Sequence, residues 1–224
     1  IGRLVGSEMC IRDSYWTVEG DLEAMGEVIR RYLSRHRRWS SPIHLAGESY
    51  GGFRVARLAR TLQESDGVGL CGAMLISPAV EFDLLGGSDY NVLPWIDKLP
   101  TMAAAGLHHG RATCAGEDAA AHVQAAERFA LEELTVALAA GDALPAERRD
   151  AIFSRMSALI GLPADLIARH RGRVGMRTFC RELLKDEGKV CGLYDASVTV
   201  RDPFPAADQF EGPDPTLMGL SRIF

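Results

Sequence analysis

Leu22, Met25, Ile29 and Leu33 recur at spacings of three and four with charged residues between them, a pattern that predicts an amphipathic helix from Val18 to Tyr32. Pro42 closes the loop that follows, and Ile43 to Ala46 is a short apolar run that predicts a buried strand. Val55, Leu58, Ala59 and Leu62 return to helical spacing, predicting a helix over 50–64 that "DGVG" interrupts. "LCGAMLISPAV", residues 70–80, is apolar throughout between Gly and Pro, and predicts a second, fully buried strand. Helix, strand, turn, helix, strand is the order of a parallel α/β sheet with helices on its faces.

Beyond residue 81 the pattern changes. "DYNVLPWIDKLPTMAAAGLHHG" predicts a shaped loop and then a helix near Met102 to His108. Residues 117–141, rich in Ala, Leu and Glu, predict one long helix ended by Gly141. Another runs from Pro145, a first-turn proline, to its stop at Gly161, and "LPADLIARH" and "MRTFCRELLKDEG" each predict one more. "KVCGLYDASVTV" has two β-like runs around a turn, and "RDPFPAADQFEGPDPTL" reads as extended. The expected organisation is a leader at 1–14, an α/β core at 15–99, an all-helical insertion at 100–188 and a return segment at 189–224.

Composition narrows the function classes. The chain is 47% hydrophobic and 25% charged, so it can build a core, and its net charge of −5 argues against nucleic acid as a partner. The one basic cluster, Arg35 to Arg38, has no aromatic interleaving and reads as a solvated helix end. No apolar run reaches the roughly 18 residues of a membrane span. The five cysteines, at 10, 71, 114, 180 and 191, have no metal-site or disulfide-framework spacing, and no cofactor is expected; Cys71 and Cys180 read as core residues. Trp16 and Trp39 read as packing residues, and His122 and His170 as exposed. "VGSEMCIRDS" resembles a translated sequencing adapter, so the first fourteen residues are expected to be foreign to the fold.

The chemistry lies in "HLAGESYGG", residues 44–52. Gly47-Glu48-Ser49-Tyr50-Gly51 fits G-x-S-x-G, in which a serine sits on a strained strand-to-helix turn between small residues. Gly47, Gly51 and Gly52 are the expected steric elements of that elbow, and the Tyr50 backbone N–H is positioned to face an oxyanion. Taken alone, Glu48 reads as a carboxylate paired with a cation such as Arg54.

With "DLEAMGEVIRRYLSRHRRWSSP" before it and "LCGAMLISPAVEF" after it, "GESYGG" resembles the serine carboxypeptidases, specifically their bacterial branch. The resemblance extends from about Tyr15 to Phe224 and takes in "FCRELLKDEGKVCGLYD" and "FEGPDPTL". It implies an α/β-hydrolase core with a helical cap, and a peptide with a free C-terminus as substrate. Ser49 would be the nucleophile and Tyr50 would supply one oxyanion donor. Glu48, in its protonated form, would bind the substrate's terminal carboxylate, a contact suited to acidic pH. The resemblance is also compatible with export from the cell.

A serine needs a base, and the base needs an orienting partner. In the family resembled here, those Asp and His residues follow the helical insertion, and a glycine-rich oxyanion loop precedes the elbow. Neither is expected in this chain. His44 lies below the elbow and should point into packing, while His108 and His109 are adjacent and should diverge by roughly 100° on a helix. The chain alone is therefore expected to be inert, its parent active. An esterase or acyltransferase using the same elbow, or a binding protein that keeps the fold without a triad, are the alternatives.

Overall fold

Thr17 begins the first described helix, its Oγ1 accepting the Gly20 N–H at 3.0 Å in an N-cap. The computed structural model describes residues 16–207, 212 and 214–220, so the expected leader at 1–14 lies outside them. The described chain is mixed α/β and divides by contacts into two units at Phe82/Asp83.

In the first unit, helix α1 (Val18–Arg35) runs one turn further than its sequence pattern predicts. Strand β1 (His44–Glu48), helix α2 (Tyr50–Glu64) and strand β2 (Gly72–Ile76) follow as a βαβ unit. The strands pair in parallel, in register from His44 with Gly72 to Glu48 with Ile76. Leu22 and Leu33 of α1 bury against Leu58 and Leu62 of α2 and against Val68, with Leu45 and Ile43 packed on the edge of that cluster. The Arg30 guanidinium fastens α1 to the turn after α2 through Asp66, 3.2 Å away.

The sheet corrects one expectation. Neither strand is fully buried: Met74, Leu75 and Ile76 are about half exposed, and His44 is exposed on its strand instead of pointing into packing. Adjacent residues of a strand face opposite sides, so exposure of 74, 75 and 76 in succession leaves apolar side chains open on both faces of β2. A two-stranded sheet with one helical layer covers too little of either. For the same reason Cys71 is exposed, not a core residue. Trp16 and Trp39 are likewise exposed, and Trp39 uses its Nε1–H to reach Ser34 Oγ at 3.1 Å.

The second unit is helical up to a terminal hairpin. Helices α3 (Leu93–Ile96) and α4 (Leu99–His108) come first, so the helical region begins ahead of the expected boundary at 100. The predicted long helix is interrupted: α5 (Ala119–Phe129) passes through a π-helical turn at Ala130–Leu134 into α6 (Thr135–Ala140). Helix α7 (Ala146–Ile160) starts at Pro145 and stops at Gly161, whose φ of 81° makes it a left-handed cap. Helices α8 (Ala164–Arg169) and α9 (Met176–Glu182) lead to the antiparallel strands β3 (Lys189–Cys191) and β4 (Thr199–Arg201). The tail is not extended throughout, because Asp214 accepts the Thr216 N–H at 2.8 Å and starts helix α10 (Pro215–Leu220).

Leu99, Met102, Phe129, Leu134, Met156, Ile160, Ile167 and Phe179 form the fully buried centre of this unit. His122 lies among them with no exposed surface, the opposite of its expected position. Its Nδ1 accepts the Ala115 N–H at 3.0 Å and its Nε2–H donates to the Leu159 carbonyl at 3.1 Å, so both ring nitrogens are satisfied without water. The Arg181 side chain, 2% exposed, lies 3.6 Å from Asp202 and donates to the Pro205 carbonyl, holding the segment after β4 against α9.

Candidate functional site

β1 ends at Glu48, α2 begins at Tyr50, and Ser49 makes the whole turn between them. Its backbone sits at φ 55°, ψ −122°, outside the regions that L-residues favour. Such a conformation persists only where its surroundings over-determine it, and here they do. The Ser49 N–H donates to the Ile76 carbonyl at the end of β2 (3.0 Å). The Ser49 carbonyl accepts the N–H groups of Gly52 (3.0 Å) and Ala79 (3.0 Å), one from its own helix and one from the loop after β2.

Two glycines make this approach possible. A Cβ on Gly47 would stand 2.0 Å from the Gly51 carbonyl oxygen, and one on Gly52 would stand 2.7 Å from Pro78 Cβ. Gly51, expected to be the third steric element, has open space where its Cβ would go. The close contact at that position is made by its carbonyl, and the side-chain constraint falls one residue later.

Ser49 is exposed and its hydroxyl makes no capping bond to the helix it precedes. The Tyr50 N–H, in the first turn of α2, has no intrahelical acceptor and carries the positive end of the helix dipole. A serine hydroxyl and a backbone N–H without an intrahelical acceptor therefore adjoin at the C-terminal end of a parallel strand.

The Tyr50 side chain turns the other way. Its hydroxyl donates to Asp21 Oδ2 at 3.2 Å, and Arg54 grips both Asp21 oxygens at 2.8 Å while its guanidinium lies 5.1 Å from the Tyr50 ring centroid. The Arg54 hydrogen bonds hold the Asp21 carboxyl below its ordinary pKa against the opposing effect of burial. Burial, then the bond to Asp21, raises the Tyr50 phenol. Phe53 and Phe82 complete an aromatic cluster beside it, with the Tyr50 and Phe82 centroids 5.9 Å apart.

This clamp corrects the expected Glu48–Arg54 pair. Arg54 is committed to Asp21, and Glu48 is exposed with no ion pair among the described residues. Asp21 gave no sequence signal, since it lies 33 residues from Arg54. Ser77 was also missed: with φ 41° it is a second strained serine, at the end of the neighbouring strand.

Among the described residues, no histidine or carboxylate hydrogen-bonds the Ser49 side chain, and no group of three or more His, Cys, Asp or Glu gathers as a metal site. His108 is exposed, and His109, just past the end of α4, contacts the Ala196 carbonyl at 2.7 Å through Nε2. Their rings meet edge-on at 4.8 Å and do not diverge as a continuous helix would require. Burial pushes the Cys180 and Cys191 thiols up to about 12 and about 11, which keeps both protonated and poorly nucleophilic near neutral pH. No helix among the described residues is long and apolar enough to cross a membrane. No family model, curated protein or solved structure matches the chain.

Proposed function

We propose that this chain carries the nucleophile elbow of an α/β-hydrolase of serine carboxypeptidase type, with Ser49 as the nucleophile. The observation that carries the reading is the Ser49 backbone at φ 55°, ψ −122° on a strand-to-helix turn. A serine serving only as a helix cap has no need of that strain. Ser49 Oγ gives its proton to a general base as it attacks the carbonyl carbon of the last peptide bond, and the Tyr50 N–H donates to the oxygen as it becomes an oxyanion. The C–N bond breaks, the base returns the proton to the leaving amine, and water then releases the acyl group from Ser49. Glu48, exposed and without an ion pair among the described residues, is free to meet the substrate's C-terminus.

The general base, its orienting carboxylate and a second oxyanion donor are expected outside the described residues. The chain alone is accordingly expected to give no turnover of a blocked dipeptide. A polypeptide from the full parent reading frame is expected to cleave it, with loss of cleavage on Ser49→Ala and a selective loss of peptide over ester hydrolysis on Glu48→Gln. Equal loss of both activities on Glu48→Gln would favour an esterase or acyltransferase. One observation favours a non-catalytic binding protein: no base contacts Ser49 among the described residues. A parent frame lacking any downstream Asp and His would establish that reading instead.

A further inference from the structure

A cleft of about 550 Å³ opens in the helical unit between α6, α7 and the turn that follows α8. Its size falls within the roughly 300–1,000 Å³ of small-molecule sites. Leu138, Leu144 and Phe153 give it an apolar floor, and Arg149, Arg171 and Arg173 are among its lining residues.

The turn that carries two of those arginines is built at a cost. Arg171 has φ 52° and Gly172 φ 77°, two successive left-handed residues, the first of them not a glycine. Gly172 must lack a side chain, because its Cβ would stand 2.8 Å from the Phe153 ring. The chain thus lies directly on the cleft floor and brings the residues on either side of Gly172 to its edge.

The two guanidiniums differ in burial. The Arg173 side chain is 14% exposed and its bonds are long: its Nη1 donates to the Arg171 carbonyl at 3.4 Å and its Nη2 to the Asp89 and Leu138 carbonyls at 3.3 Å, while its buried Nε lies 3.4 Å from Asp89 Oδ1 without forming a hydrogen bond. Arg171 is exposed, and its side chain has no ion-pair partner among the described residues. The acidic lining residues are partly committed, Asp150 to Arg149 at 3.6 Å and Asp89 to Arg173, while Asp142 is exposed on the rim. Tyr90, fully exposed, stands at the mouth.

We propose that this cleft binds a small amphipathic carboxylate, its apolar body on Leu138, Leu144 and Phe153 and its carboxylate on Arg171 and Arg173. A charged group held by loose bonds in a half-apolar cleft gains most from an anion whose remainder is apolar, since one ligand then meets both needs. The site belongs wholly to the helical unit and is independent of chemistry at Ser49.

The probe is 3-phenylpropionate, titrated into the full chain by NMR or calorimetry, with 3-phenylpropanol and acetate as the chargeless and bodyless controls. Saturable binding with a Kd of about 0.1–1 mM is expected, with both controls at least about tenfold weaker. Arg171→Gly removes the guanidinium while suiting the left-handed backbone, so the variant should fold and bind about tenfold more weakly. Arg173→Gln should weaken binding as well. No saturation up to about 10 mM, equal binding of either control, or binding unchanged in a folded Arg171→Gly variant would overturn the assignment.

Discussion

At Ser49 the backbone holds a conformation that costs about 1–3 kcal/mol, and hydrogen bonds from β2, from the loop after it and from α2 keep it there. Ser49→Gly releases that strain whereas Ser49→Ala retains it, so the glycine variant should be the more stable by about 1 kcal/mol in urea denaturation. The neighbouring glycines separate in the same assay. Gly47→Ala drives a Cβ to 2.0 Å from a backbone oxygen and should cost more than about 2 kcal/mol, while Gly51→Ala, with open space, should be neutral or stabilising by about 0.5 kcal/mol. In the helical unit, His122→Ala empties a fully buried position and takes the partner from the buried Leu159 carbonyl, and should destabilise that unit by about 2–4 kcal/mol.

At the scale of elements, α1 and α2 are joined by burial of leucines and by the Asp21–Arg54–Tyr50 clamp. Asp21 is held below its ordinary pKa in the folded state, so the stability it contributes is present above the usual carboxylate range, near pH 4, and is lost as pH falls through the lowered value. Urea midpoints measured from pH 6 to pH 2 should show this loss in the native chain and a smaller one in Asp21→Asn, which is expected to be about 1–2 kcal/mol less stable at pH 6. Most element boundaries were legible in the sequence, because a start at Pro145, a stop at Gly161 and the turn at Ser49 depend on a few adjacent residues. The π-helical turn at 130–134 carries no comparable local mark, and the helical pattern of 117–141 runs straight through it. Burial was legible only where periodicity decides it. His122, Cys71, Trp16 and Trp39 were misplaced because their environments depend on residues distant in sequence, and the Asp21 partner of Arg54 was missed for the same reason.

For the molecule as a whole, the apolar strand β2 is the feature least in keeping with a free chain in water. Met74, Leu75 and Ile76 expose about half their surface on an edge strand, and Val80 and Phe82 after it are exposed as well. A parallel strand with apolar residues on both faces is built to lie inside a sheet, and an uncovered one invites pairing between copies. The chain is therefore expected to self-associate, and Met74→Lys with Ile76→Lys should lower the light scattering of concentrated solutions while leaving the helical unit's circular dichroism in place.

Ser49 is proposed as a nucleophile whose base lies outside the described residues. A fluorophosphonate probe tests it most directly, with the modified residue located by mass spectrometry in the polypeptide made from the full parent reading frame. A single adduct on Ser49 is expected, absent from the chain of 224 residues alone and from the Ser49→Ala variant. An adduct on another residue, or a folded parent polypeptide that takes none, would contradict it.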